Sequence, residues 1–261
     1  MKHLALALLA GCTSLGPMPS TTAVSAIPAG RPGGEVTGAA VPVFRLSDAA
    51  RGTHHDVDRS GNAVGQLAAI FEPDRLLELP GVILGGRVFG EDGDTGVEPI
   101  VGYRQQLDRV AIAGVGYGTR MQANSNGANY TATRIGAEAI ADVELLRIAE
   151  WASLHVAGAV QATYVDASGR YCVNADGNGI DCADDGSSRI IDGQLEGVYP
   201  AATLSASLDF ARRAHSMFHS ARLGGMISAG HMPRLVDGRQ RWGDQYISGG
   251  VMLTLGFGAG E

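Results

Sequence analysis

The chain has little charge and few aromatic side chains for its length. Of its 261 residues, 18% are charged and 6% are aromatic, and the formal net charge is −7. An acidic chain has little with which to neutralise phosphate groups, which argues against a nucleic-acid partner. Because 45% of the residues are hydrophobic, disorder along the whole chain is also excluded.

Long apolar runs and cysteines are scarce as well. After the N-terminal segment no run of about 18 apolar residues occurs, which excludes a membrane-spanning helix. The 3 Cys are Cys12, Cys172 and Cys182. Glycine is in excess, with 38 residues, about twice the usual share. A glycine-rich chain of low charge is typical of a transmembrane β-barrel, although soluble β-proteins share this composition.

The first twelve residues predict an export signal. A basic start at Met1-Lys2-His3 is followed by a short apolar run that ends at Ala10. The segment Leu9-Ala10-Gly11-Cys12 resembles the bacterial lipobox. This resemblance implies a diacylglyceryl group on the Cys12 thiol, cleavage before Cys12 and, because Thr13 rather than Asp follows, sorting to the outer membrane. An ordinary signal peptide with a chance Cys is the alternative.

Composition and hydrophobic pattern divide the sequence into three parts. Residues 1–11 are predicted to be a lipoprotein signal peptide, residues 12–78 a flexible tether, and residues 79–261 the folded β-barrel domain. Pro and Gly residues between Ser14 and Pro42 interrupt regular structure. A short helix is predicted from Gln66 to Leu79, broken at Pro73. The pair His54-His55 has no metal-ligand spacing around it, so a solvated loop is expected.

From Gly81 onward the hydrophobic period changes to two, which predicts β-strands. Eight strands are predicted, at about 81–90, 97–107, 109–121, 129–145, 152–165, 193–210, 216–231 and 245–258. Connections after the odd-numbered strands are long and rich in Gly, Asp and Asn, and those after the even-numbered strands are short. This parity places the long loops at one end of an up-and-down antiparallel sheet and the tight turns at the other.

The two faces of these strands differ in charge. In the segment 202–210, for example, Ala, Leu and Phe share one face, while Thr, Ser and Asp209 share the other. Strands of this length match a tilted bilayer crossing, with the uncharged face toward lipid. The interior set would include Arg87, Glu98, Arg104, Arg134, Glu138, Asp142, His155, Asp209 and Arg222. Because both signs are present, paired charges that fill the lumen are favoured over a water channel.

Strand number, loop parity and face polarity resemble those of the small eight-stranded outer-membrane barrels of bacteria. The resemblance covers about residues 81–258 and implies an all-β, eight-stranded antiparallel transmembrane barrel, preceded by the signal peptide and the flexible segment. The chain departs from that family at its end, Phe257-Gly258-Ala259-Gly260-Glu261, because those proteins usually finish on an aromatic residue.

The loop after the fifth predicted strand combines two candidate sites. Cys172 and Cys182 are expected to form a disulfide in an oxidising compartment. Oxygen-bearing side chains recur between and beyond them and resemble the Asp-rich calcium loops of EF-hand and thrombospondin-type repeats. The candidate calcium ligands are Asn174, Asp176, Asn178, Asp181 and Asp184. A polar surface loop without a metal is the competing interpretation, because the bidentate Glu that closes an EF-hand loop is missing.

No enzymatic activity is expected from the sequence. It contains neither a nucleophile elbow nor a phosphate-binding loop nor a zinc-protease motif. The pairs His215-Ser216 and His219-Ser220 are the nearest approach to a hydrolase constellation, and some outer-membrane barrels deacylate lipid A with His and Ser. The spacing here differs from such a motif.

The sequence therefore predicts an exported, lipid-anchored barrel of the bacterial outer membrane with a structural or interaction role. Outer-membrane lipid is the expected surrounding, no nucleic acid is expected, and a surface ligand or envelope partner is left open. No cofactor is predicted apart from calcium in the loop. Two alternatives remain: a lipid-anchored soluble periplasmic barrel or sandwich that binds an apolar ligand, and an outer-membrane lipid hydrolase.

Overall fold

The computed structural model describes most of the chain and builds it from β-strands. It covers residues 34–45, 62–73, 80–91, 94–125, 128–173, 189–211, 218–231, 234–236, 239–241 and 245–257. Within these ranges no helix is long and apolar enough to span a membrane. The strands are β1 Gly34–Arg45, β2 Asn62–Phe71, β3 Val82–Glu91, β4 Asp94–Leu107, β5 Val110–Ser125, β6 Ala128–Ala149, β7 Ala152–Val173, β8 Arg189–Ala211, β9 Phe218–His231, β10 Arg234–Val236, β11 Arg239–Arg241 and β12 Gln245–Phe257.

Ten of these strands form a closed antiparallel barrel. Each pairs with its neighbours in chain order, and β1 closes the ring by pairing with β12. The short strands β10 and β11 form a separate two-stranded ribbon in the connection from β9 to β12. An all-β antiparallel barrel, as predicted, is therefore confirmed.

The two ends of the barrel differ. Two-residue turns at Asp108–Arg109 and Glu150–Trp151 lie at the same end as the start of β1 and the end of β12, which we call the turn end. The opposite end, which we call the loop end, receives the connections that follow β1, β3, β5, β7 and β9. The long connections predicted after β3 and β5 are wrong, because each of these two connections has only two residues. Both described chain ends thus lie at the turn end.

The predicted strand number of eight is wrong, because the barrel has ten. The two additional strands, β1 and β2, lie inside residues 12–78, where the sequence predicts a tether. The helix predicted from Gln66 is also wrong over its first part, because β2 continues to Phe71. Small residues weaken the alternation in both strands, and Pro42 interrupts it in β1. Closure of a ring depends on pairing between residues far apart in sequence, which the alternation does not reveal.

Pro42 is accommodated by a local interruption of the ladder. Pairing of β1 with β12 runs from Gly34 to Ala40 and resumes at Val43. On its other side, Pro42 lies opposite Ala63 of β2. Because proline has no N–H to donate, it is tolerated in a strand where a ladder bond is dispensable. A proline alone therefore did not exclude a strand here.

Three neighbouring strands are longer than predicted, β6 at the turn end and β7 and β8 at the loop end. β6 and β7 each have 22 residues and β8 has 23. Much of the segment between residues 166 and 193, predicted to be a loop, instead continues the β7–β8 pairing from Asp166↔Glu196 to Val173↔Arg189. The polar residues of this segment are typical of turns, but pairing with a neighbouring strand prevails over that local preference.

Candidate functional site

The barrel interior gathers the ionisable side chains that the sequence placed on one face. Eight of the nine predicted interior residues are buried, and the remaining one, Asp209, has a side chain that is 16% exposed. The buried members are Arg87, Glu98, Arg104, Arg134, Glu138, Asp142, His155 and Arg222. Because the side chains of a strand alternate between its two faces, one buried face along each strand becomes the wall of the lumen.

Nearer the loop end, buried Arg residues of two strands meet a carboxylate of a third. Arg87 of β3 and Glu98 of β4 are directly opposite each other, and the Arg87 Nε donates to Glu98 Oε2 at 2.9 Å. The Arg134 Nη2 lies 4.0 Å from Glu98 Oε1. The Arg87 guanidinium also stacks 5.1 Å from the Tyr117 ring centroid, and the Arg134 guanidinium 5.2 Å from that of Phe89. We call Arg87, Glu98, Arg134 and Glu138 the loop-end cluster.

An apolar layer, contributed by β2 to β7, lies between this cluster and a second one. It consists of Ile70, Ile83, Ile100, Ala111, Ala113, Val115, Tyr117, Ile140 and Ala159, all buried. On β4, Ile100 lies between Glu98 and Arg104, and on β6, Ile140 lies between Glu138 and Asp142. The interior therefore alternates between charged and apolar zones along the strands.

At the turn end, Arg104 links the barrel strands to the segment that the sequence assigned to a tether. Its Nη1 lies 3.3 Å from Glu35 Oε1 on β1, and its Nε donates to Glu72, which directly follows β2. All three side chains are buried or nearly so. These contacts give β1 and β2 specific polar partners inside the barrel.

A second arginine of the turn end holds two aspartates. The Arg222 Nη1 donates to Asp142 Oδ2 at 2.8 Å, and its Nη2 donates to Asp209 Oδ2 at 3.0 Å. The other oxygen of Asp142, Oδ1, lies 3.1 Å from His155 Nδ1. On the far side of the imidazole, Nε2 lies 2.8 Å from the Ser153 hydroxyl.

These contacts define the turn-end cluster. Its members are Glu35, Glu72, Arg104, Asp142, Ser153, His155, Asp209 and Arg222. The sequence did not identify Glu35, Glu72 or Ser153 as members. The two glutamates lie in or beside strands that the sequence does not predict. Ser153 lies on a polar strand face, where composition does not distinguish a serine that contacts a histidine from any other serine.

The outer surface of the barrel is apolar. Large hydrophobic side chains are exposed on most of the ten strands, with exposed fractions of up to 63% at Val251. They include Leu67, Val101, Ile135, Val160, Leu204, Leu223, Ile227 and Val251. We call this set the outer belt. A soluble barrel would place such side chains inside and its charges outside, so this distribution is inverted.

Several predicted site residues lie outside the described part of the chain. These are Cys12, Asn174, Asp176, Asn178, Asp181, Cys182 and Asp184, together with the His54-His55 pair and His215-Ser216. Cys172 lies one residue before the end of β7, and its backbone pairs with Ile190. Of the second His-Ser pair, Ser220 is buried. Among the described residues, no group of three or more His, Cys, Asp or Glu is arranged to hold a metal ion.

The chain has similar folds among solved structures, but its sequence matches no known family. No protein-family model and no curated protein matches the chain. Among solved structures it is similar to Neisserial surface protein A (NspA), with 9% sequence identity and a TM-score of 0.33 over 86% of this chain and 96% of that one. At this identity and TM-score the match carries no inference about function.

Proposed function

We propose that the protein is an integral β-barrel of the bacterial outer membrane with a structural or interaction role in the envelope. The observation that carries this proposal is the outer belt on a closed ring of strands. Exposed Val160 and Ile227 would be unfavourable in water, and lipid removes that cost. Closure of the ring satisfies the backbone hydrogen bonds that a bilayer cannot satisfy.

The orientation follows from the two ends of the barrel. The turn end, where both described chain ends lie, faces the periplasm, and the loop end, which receives the long connections after β1, β7 and β9, faces outward. Short periplasmic turns and longer external loops are the usual layout of outer-membrane barrels. A lipid on Cys12 would then hold the N-terminal segment at the periplasmic side of the same membrane.

The interior fits a closed plug better than a pore. Arg87, Glu98, Arg104 and Arg222 are buried and ion-paired across strands, and the apolar layer lies between the two clusters. Charges that neutralise each other across the lumen fix strand register and reduce the tendency of water to enter. This role requires no catalysis.

The loop end supplies the surface through which a partner or ligand would be recognised. We propose that Cys172 and Cys182 form a disulfide there and that the intervening acidic loop contacts calcium or a partner outside the cell. Because Cys172 lies next to the end of β7, such a bond would restrain the base of the loop. Mass spectrometry of the non-reduced protein, with and without added calcium, tests both points.

The soluble alternative requires an apolar chamber for a ligand. The interior instead places Glu98, Arg134 and Asp142 at full burial, and the apolar residues face outward. A lipid-anchored soluble barrel would therefore have to expose its outer belt to water. This distribution favours the membrane-embedded form.

The test is fractionation of cells that produce the full chain, followed by gel electrophoresis with and without boiling. A membrane barrel stays in the outer-membrane fraction after carbonate and high-salt washes, and boiling shifts its migration. Release by lipase or salt alone would overturn the proposal. Palmitate labelling of the wild type and of Cys12→Ser, with and without globomycin, separates membrane insertion of the barrel from lipid anchoring.

A further inference from the structure

Three side chains at the turn end form a hydrogen-bonded line inside the barrel. Ser153 Oγ lies 2.8 Å from His155 Nε2, and His155 Nδ1 lies 3.1 Å from Asp142 Oδ1. His155 and Asp142 are buried, whereas Ser153 is only partly buried. A hydroxyl, an imidazole and a carboxylate in this order form the arrangement that activates a serine nucleophile on several unrelated folds.

The Asp142 carboxylate fixes the direction of one hydrogen bond. An ionised carboxylate can only accept, so the His155 Nδ1 carries the proton and donates to Asp142. In the neutral imidazole, which is the form that a general base requires, Nε2 is the acceptor and the Ser153 hydroxyl donates to it. Arg222 donates to the second oxygen of Asp142, which holds the carboxylate in place and favours its ionised form. The imidazole is thereby oriented to take a proton from Ser153.

The strands explain how these residues come together. Ser153 and His155 are two residues apart on β7, so both lie on the interior face. His155 is directly opposite Glu144 of β6, where the register shifts between Glu144 and Leu146. β-Bulges of this kind occur frequently beside active sites, where they redirect side chains.

We propose that Ser153 is a catalytic nucleophile, with His155 as its general base and Asp142 as the residue that orients the imidazole. The substrate class is a small carboxylic ester that enters from the turn-end mouth of the barrel. This proposal goes beyond the envelope role, which stands whether or not Ser153 reacts. It also departs from the expectation of no enzymatic activity, which was based on the pairs His215-Ser216 and His219-Ser220.

The reaction is acyl transfer followed by hydrolysis. Ser153 Oγ attacks the carbonyl carbon of the ester, and its proton passes to His155 Nε2. The C–O bond to the alcohol breaks, and the alcohol leaves with that proton, so that an acyl-Ser153 remains. A water molecule then attacks the acyl carbon with His155 as base, which releases the carboxylic acid and restores the serine.

The position of Ser153 restricts the substrate. The residue directly opposite it on β8 is Asp209, whose carboxylate is paired with Arg222, so the surroundings are polar and charged. Because Ser153 faces the interior, an acyl chain held in the bilayer outside the barrel does not reach it. The site therefore suits a short polar ester from the aqueous side rather than membrane lipid.

The experiment treats the folded full-length protein in detergent with a fluorophosphonate probe and maps the adduct by peptide mass spectrometry. Ser153→Ala and His155→Gln are compared with the control Ser228→Ala, because Ser228 is a buried interior serine that is bonded to Thr203 and not to a histidine. Heat-modifiable migration shows that each variant has folded. Hydrolysis of p-nitrophenyl acetate is measured in parallel.

The expected result is one adduct, on Ser153, in the wild type and in Ser228→Ala. Ser153→Ala should lose it, and folded His155→Gln should label more slowly by about 10²–10⁴-fold, the usual contribution of a general base. Ester hydrolysis should fall in the same variants. No adduct on Ser153 in the folded wild type, or undiminished labelling in folded His155→Gln, overturns the proposal. If His155→Gln does not fold, labelling of Ser153→Ala at the wild-type level overturns it.

Discussion

The Tyr117 hydroxyl of β5 lies 2.7 Å from the Thr163 Oγ1 of β7, although β6 runs between these two strands. Gly136 of β6 is directly opposite both residues. A Cβ added at Gly136 would lie 2.4 Å from Tyr117 Cζ, so the ring covers the glycine. An aromatic ring that covers a strand glycine in this way compensates for the packing that glycine lacks.

Gly136→Ala should therefore displace the Tyr117 ring and break its hydrogen bond to Thr163. The expected loss in the free energy of unfolding is about 1–3 kcal/mol, as for other overpacked interiors. The matched control is Gly114→Ala, since a Cβ at Gly114 would meet nothing within 4 Å. Urea titration of both variants in lipid vesicles measures the difference, and equal stability would contradict the proposed role of Gly136.

Arg222 is expected to be the most sensitive charge of the turn-end cluster. Arg222→Met leaves Asp142 and Asp209 without this cation, and loss of one partner of a buried pair typically costs about 3–5 kcal/mol. The control is Arg147→Met, because Arg147 is 66% exposed and pairs with a single carboxylate, Glu144. That change should cost below about 1 kcal/mol. Similar losses in the two variants would show that the buried pairs do not hold the barrel together.

The sequence predicted the strands whose two faces differ sharply and missed those whose faces do not. In β6 and β8, charged and hydroxyl side chains alternate with Ala, Leu and Ile, and both strands appear where the period of two placed them. β1 and β2 contain many small residues and few charges, so their two faces differ little. That these two segments are strands follows only from the closed ring, in which β1 pairs with both β2 and β12. Interior pairs such as Arg104 with Glu35 are separated by many residues, so spacing alone could not reveal them.

The turn between β4 and β5 offers a test of backbone strain. Asp108 has a φ of 55° and forms a two-residue hairpin turn with Arg109. Glycine adopts this conformation without the steric cost that an L-residue has. Asp108→Gly should raise stability by less than about 1 kcal/mol, because the relief of strain is partly offset by the greater freedom of the unfolded chain.

The opposite change at this turn is the control. Asp108→Val places a β-branched side chain at a positive φ and should lower stability by about 1–2 kcal/mol. The Gln106 side chain donates to the Asp108 carbonyl, a contact that both variants keep. Urea midpoints that change in the same direction for both variants would mean that backbone strain at Asp108 is not the deciding factor.

A charge on the outer belt distinguishes a barrel in lipid from one in water. Val160 lies in the middle part of β7 and is 61% exposed. If its surroundings are hydrocarbon, Val160→Arg should cost about 2–4 kcal/mol near the midplane of the bilayer. The measurement is urea unfolding in vesicles of defined composition.

Gln105→Arg supplies the control for this change, because Gln105 is also exposed but lies near the β4–β5 turn. At the membrane interface an arginine costs only about 0–1 kcal/mol. In a membrane-inserted barrel the two variants differ in their loss of stability, because the two positions lie at different depths. On a water-exposed surface both substitutions would be nearly neutral. Equal, small effects at Val160 and Gln105 would therefore place the outer belt in water and reverse the proposed location.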